Sequence, residues 1–236
     1  MEIEIYSDVV CPWCYIGKRR LEQALESYDG EVTIRFRPFQ LDPQPVHKPE
    51  PLVDALAAKF GGPERARQIF EHTTGAAAQS GLTLHFDHAV SANTFDAHRL
   101  VWFATSRGRA AEMIDALYQA HFTDGVDVGS RSALATLAGG VGLDETEVRE
   151  FLDSSAGVAE VRGELDAARE LGVTSVPTFV FAGKYAVTGA QEPETLRSVL
   201  DEVSRREAAD AVIRPVGEPS GAAPKAGECA DDSCAV

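Results

Sequence analysis

The chain has 236 residues, 44% of them apolar, which is enough for one large domain with a genuine core. Its 22 Lys and Arg stand against 37 Asp and Glu, a formal net charge of −15. That balance argues against a nucleic-acid partner or an anionic membrane surface, both of which need clustered cations. No stretch approaches the roughly 20 apolar residues that span a bilayer. Residues 2–7 alternate acidic and apolar side chains and read as a strand. The same residues lack the basic start and apolar run of a secretory signal, so the expected compartment is the cytoplasm, where cysteines more often do redox or metal chemistry than structural bridging.

Cys11-Pro12-Trp13-Cys14 then opens a helical pattern in which Cys14, Leu21, Leu25 and Tyr28 share one face, with Asp29-Gly30 as the stop. Residues 31–37 alternate again, as a second strand ending at Pro38. From about 50 to 172 helical periodicity dominates, with candidate helices near 51–60, 63–79, 94–107, 109–120, 130–139, 144–153 and 156–171, punctuated by glycines. Residues 177–181 read as a buried strand, Ala182-Gly183 as a tight turn, 184–188 as another strand, and 193–209 as an amphipathic helix. The order β-α-β, helices, β-β-α predicts an α/β fold with a mixed sheet. It divides the chain into a sheet domain of 1–45 with 173–212, a helical insertion domain of 46–172, and a flexible Pro/Gly/Ala-rich tail of 213–236 ending in a C-x4-C pair, Cys229 and Cys234.

Dithiol exchange needs an attacking thiolate and a second thiol near enough to resolve the mixed disulfide. A Cys at a helix N-terminus meets unpaired N–H groups and the positive end of the dipole, which favour its anion. Cys11 is therefore the expected exposed nucleophile and Cys14 the resolving thiol on the core face, with Pro12 stiffening the first turn. The placement after a first strand and before a long helix is what separates a redox motif from a chance C-x-x-C. An alternative is a non-enzymatic zinc module using Cys11, Cys14, Cys229 and Cys234 as four ligands. Against it, the tail pair has a wider spacing than a zinc knuckle, and no metal site is expected. Pro177, after Val176, opens the third strand; on the residues alone it is an ordinary trans proline. Trp13, Tyr15 and Phe39 are candidates for an apolar rim or for plain core, His98 reads as a packed or surface histidine, and Arg65, Arg67, Arg107, Arg109 and Arg131 as solvated helix faces.

Five stretches carry a resemblance: Tyr6-Ser7-Asp8 running into Cys11-Pro12-Trp13-Cys14, Arg37-Pro38-Phe39-Gln40-Leu41, Ala97-His98-Arg99-Leu100, Gly172 through Phe179, and Val187-Thr188-Gly189-Ala190-Gln191. In order and spacing they resemble the DsbA family of thioredoxin-fold proteins, and within it the FrnE-like branch. The resemblance implies a thioredoxin fold with a large all-helical insertion, a cis bond before Pro177 facing Cys11 and Cys14, and a backbone at Val176 that pairs with an extended substrate. Pro12, Trp13, Val176 and Pro177 then form the substrate-binding surface, and the substrates are protein dithiols or disulfides. No tightly bound cofactor is implied; glutathione or another thiol would be the redox partner, and the oligomeric state, a dimer included, stays open. Trp13 stands where strongly oxidising members carry His, which implies a less oxidising disulfide. The related 2-hydroxychromene-2-carboxylate isomerases and kappa-class glutathione transferases supply the alternative of a glutathione-dependent isomerase or transferase. They typically have Ser at the Cys11 position. Some FrnE-like proteins also end in a C-x4-C. Here about 20 flexible residues give a span of roughly 25 Å, against a domain radius of gyration near 18 Å, so Cys229 and Cys234 are an expected auxiliary redox pair.

Overall fold

The computed structural model describes residues 1–46 and 48–213; the tail pair Cys229 and Cys234 lies outside them. Four strands, β1 (Glu2–Ser7), β2 (Thr33–Pro38), β3 (Thr178–Phe181) and β4 (Tyr185–Thr188), form one sheet in the order β2-β1-β3-β4. The helices are α1 (Pro12–Leu25), α2 (Leu52–Phe60), α3 (Pro63–Gln79), α4 (Phe95–Ser106), α5 (Ala110–Phe122), α6 (Arg131–Gly140), α7 (Glu145–Asp153), α8 (Val158–Glu170) and α9 (Pro193–Ile213). β1 and β2 run parallel, and β3 is antiparallel to both β1 and β4, which makes the sheet mixed as expected.

Alternation along β1 sends Ile3 and Ile5 to one face and Tyr6 to the other. On the first face Ile3, Ile5, Phe179 and Phe181 pack with Leu21 and Ala24 of α1 and Leu196, Leu200 and Val203 of α9. On the second, Tyr6 and Val180 meet Ala168 of α8 and Val173. The β3–β4 hairpin closes where Ala182 and Gly183 both take positive φ (52° and 66°) and Lys184 N–H bonds to the Phe181 carbonyl at 3.0 Å. That is the mirror-image turn whose twist matches the strands.

α2 to α8 lie between β2 and β3, close to the expected spans. Their apolar faces form one cluster that also takes in Val9, Cys11, Cys14 and Ile16, so the core runs on without a break from α1 into the helical block. Arg99 of α4 is buried and ties this block together. Its guanidinium donates to the carbonyls of Phe151, Leu152, Ser154 and Ala156 and pairs with Asp96 at 2.6 Å, satisfying acceptors that the end of α7 leaves open.

One helix differs from the sequence reading. α1 ends at Leu25 rather than at Asp29-Gly30, so Tyr28 is not on its buried face. The chain turns there through a Tyr28 N–H to Leu25 carbonyl bond, and Tyr28 reaches across to α9, its hydroxyl 2.5 Å from Ser204 Oγ and its ring under Arg197. No helix among the described residues is long and apolar enough to cross a membrane.

Candidate active site

Cys11 is the N-cap of α1, in extended conformation, and Pro12 takes the first helical position, where its missing N–H costs nothing. The Cys11 carbonyl accepts from Cys14 N–H at 3.0 Å, and Cys11 N–H bonds to the Asp8 carbonyl at 3.0 Å, so backbone alone sets the turn that holds the two thiols. Both are free thiols. Across from them the Val176–Pro177 bond is cis, as the family resemblance implied and the residues alone did not. The Cys11 thiol points at the Val176 carbonyl, with 3.8 Å between Sγ and O. α1 can approach this loop because residue 17 is glycine: a Cβ there would lie 2.9 Å from Pro177 Cγ and 3.2 Å from Phe179 Cζ.

The expectation of an exposed Cys11 is corrected: the residue is 5% exposed. It forms part of the wall of a cleft of about 960 Å³ that also takes in Pro12, Trp13 and Val176, so it is reached through that cleft and not from open surface. The opposite wall is apolar, from Leu56 and Phe60 of α2 and Ile69 and Phe70 of α3, while Lys48 and Lys59 stand among the polar residues lining it. Lys59 is paired with Asp42 at 2.9 Å. Trp13 leans on His72 of α3, ring centres 5.9 Å apart. Pro177 does not line the cleft but packs behind it against Gly17. Tyr15 is half-buried and packs against the core, stacked on Tyr118 at 4.8 Å.

Cys14 is 1% exposed and does not reach the cleft. Burial pushes its thiol well above the usual value; its contact with Cys11 adds to this, and the Asp8 carboxylate does so further, while a hydrogen bond from the Asp8 backbone works the other way. Tyr118 beside it is likewise driven up by burial, then by the cysteines and Asp8. Sequence reasoning quoted Asp8 only as part of a motif, yet its fully buried carboxylate organises this layer. Oδ2 accepts from Leu41 N–H at 2.8 Å, and Oδ1 lies 3.3 Å from His98 Nε2. The same nitrogen is 3.0 Å from the Phe39 carbonyl, and with an acceptor on each side Nε2 must carry the proton. His98 is thus a buried partner of Asp8, not a surface residue. His121, also missed, is buried on α5 with neither ring nitrogen hydrogen-bonded. Burial lowers its pKa to about 4, with Asp8 and the backbone at Val126 pulling the other way. The signal for Asp8 was its place between a strand and C-x-x-C; for His121 there was none.

Among the described residues, no cluster of three or more His, Cys, Asp or Glu is arranged to hold a metal ion.

The family described as the DSBA-like thioredoxin domain matches residues 2–201. The crystal structure of a "probable DsbA oxidoreductase" from Streptomyces coelicolor is 36% identical, over 95% of this chain and 99% of that one, with a TM-score of 0.82. A 2-hydroxychromene-2-carboxylate isomerase shares 19% identity over 89% of this chain and 98% of its own, TM-score 0.66. The cytosolic disulfide reductase DsbM from Pseudomonas aeruginosa, with GSH, shares 20% over 87% and 100%, TM-score 0.62. The last two are likenesses of fold.

Proposed function

Since this chain belongs to the DSBA-like thioredoxin domain family, we propose that it is a thiol–disulfide oxidoreductase that acts on protein dithiols and disulfides through Cys11 and Cys14. The observation that carries the reading is the Cys11 thiol at a helix N-cap, 3.8 Å from the Val176 carbonyl and open to a substrate cleft. An extended substrate pairs with the backbone at Val176, which brings its sulfur over Cys11; Pro12 and Trp13 flank it. Cys11 attacks, Cys14 resolves the mixed disulfide, and a partner thiol such as glutathione resets the pair. The cytoplasm is the compartment that suits such a thiol-reset cycle. Cys229 and Cys234 would act as an auxiliary pair exchanging with the first, which truncation after Gly227 tests: unchanged redox behaviour of Cys11 and Cys14 removes them from the cycle.

The test of the main reading is a redox titration in glutathione buffers, following the Cys11–Cys14 disulfide by alkylation and mass spectrometry. A reversible two-electron transition with Cys11 alkylated first is expected; no disulfide at any poise refutes it.

A second reading, a glutathione-dependent isomerase or transferase, is favoured by the size of the cleft, near the upper end for small-molecule sites. Cys14→Ser separates the two. It leaves a glutathione-activating site working but stops a dithiol cycle at the mixed disulfide.

A further inference from the structure

β2 is the outer strand of the sheet, and part of its backbone is unpartnered. Thr33 N–H donates to the Met1 carbonyl and Phe39 N–H to the Ser7 carbonyl, so alternation turns Arg35 and Arg37 towards β1 as well. The N–H and C=O groups of Ile34 and Phe36 therefore face outward, and among the described residues none of them finds a hydrogen-bond partner. Such a row of free groups, flanked by half-buried apolar side chains, is a template for strand pairing.

Open space follows that edge. A cavity of about 500 Å³ runs along Thr33 to Pro38, walled by Val101 and Trp102 of α4, Ile114 of α5 and Val161 and Glu164 of α8. A smaller one, of about 310 Å³, adjoins it at Ile34, Phe36, Thr105 and Ala110, on the side of Lys18 and Leu21 of α1. A strand residue takes up roughly 160 Å³, from spacings of about 3.3, 4.8 and 10 Å along, between and across strands. The two spaces together therefore hold about five such residues. Neither shares a lining residue with the cleft at Cys11.

We propose that this edge takes an extended segment of a partner protein as a fifth strand, with apolar residues level with Ile34 and Phe36 and an acid between them beside Arg35. β1, on the other side of β2, shows the chemistry that β2 accepts. Ile3 and Ile5 lie level with Ile34 and Phe36, Glu2 reaches Arg35 at 2.9 Å, and Glu4 reaches Arg37 at 2.7 Å. Arg37 is also met by Glu164, which lines the cavity, at 3.5 Å, so an acid is called for only at the more exposed Arg35. The walls of α4 and α8 leave the edge recessed, which admits a single strand and keeps out the sheet of a second copy. Backbone pairing holds the partner, and the alternation of its side chains selects it. The site is independent of the cysteine chemistry and leaves the cleft free, so a partner held here stays in place while Cys11 exchanges.

The probe is the capped, fluorescein-labelled peptide Thr-Ile-Glu-Ile-Thr, whose symmetry suits either strand direction, titrated to about 1 mM by fluorescence anisotropy. Saturable binding is expected, with slower hydrogen exchange at the Ile34 and Phe36 amides and no change at the cleft segment Val10 to Trp13. Ile34→Pro removes one outward N–H and leaves the ladder to β1 intact, and it should weaken binding at least about tenfold. Arg35→Glu changes a half-exposed side chain; it should weaken binding at least about threefold and let Thr-Ile-Lys-Ile-Thr bind instead. No saturation, or binding that either folded variant leaves unchanged, overturns the proposal. So does protection of the cleft segment in place of β2, which makes the peptide a cleft ligand. A concentration-dependent dimer that the peptide dissolves assigns the edge to a second copy and likewise overturns it. Should Ile34→Pro fail to fold by circular dichroism, the charge exchange at Arg35 decides alone.

Discussion

The sheet unit and the helical block meet at Cys14, and they supply it with different things. The sheet unit acts through backbone: the N-cap position of Cys11, the Val176 carbonyl, the Asp8 amide and carbonyl. The helical block acts through side chains brought from far along the chain: Tyr118 beside the sulfur, His121 within the field of Asp8, His98 on Asp8, Phe60 and Phe70 across the cleft. Apart from the Val176 carbonyl, geometry is thus local and environment is distant. Changes in the first should break the chemistry outright, and changes in the second should tune it or act through stability.

The largest expected effect tests the first half of that contrast. Cys11→Ser should lower thiol–disulfide exchange by on the order of 10³-fold or more, because a hydroxyl is not ionised near neutral pH. Cys14→Ser should instead accumulate the mixed disulfide, visible as an added substrate mass. Equal and partial losses in both variants would break the assignment of roles.

On the helical side, Arg99→Met should cost about 3–5 kcal/mol by urea denaturation, since it strands several buried carbonyls and leaves Asp96 with Arg131 alone. The cysteine chemistry of the folded fraction should be unaltered; a loss below 1 kcal/mol would mean Arg99 is not the tie we describe.

His121 gives the contrast a pH axis. Its folded pKa of about 4 lies below the ordinary 6.5, so the unfolded chain binds its proton more readily. The stability this contributes is complete above pH 6.5 and is lost as pH falls towards 4, in all about 3 kcal/mol. His121→Leu should flatten that part of the stability–pH curve; an unchanged slope would place its origin elsewhere.

The smallest effect sharpens the boundary. Gly17→Ala would gain about 1 kcal/mol of helix propensity, but the new methyl meets the stiff Pro177 ring. A net loss of about 1–2 kcal/mol is expected, with slower exchange as Val176 is displaced. Stabilisation with unchanged rates would show that α1 and the proline loop have slack.

The division between local and distant also explains what was legible in the sequence. The C-x-x-C helix, the order of strands and helices along the chain and the spans of α2 to α8 follow from periodicity and glycine stops, which are short-range signals. The cis bond before Pro177 was legible only through resemblance, because a single X-Pro carries no mark of its isomer. Burial of Cys11 was misjudged, since a helix N-cap says nothing of the loop that folds over it. The Asp8–His98 pair joins residues 90 positions apart, and His121 makes no hydrogen bond that a motif could encode.

The two sulfurs belong to the larger apolar cluster that crosses from α1 into the helical block. Under the proposed dithiol cycle, that placement would make the reduction potential of the pair a property of the whole fold. In a thermodynamic cycle, the disulfide is a better oxidant than an unstructured one by as much as the dithiol form is the more stable to unfolding, at about 30 mV for each 1.4 kcal/mol. A substitution anywhere in that cluster which the two redox forms feel unequally will move the potential, even when it lies far from Cys11.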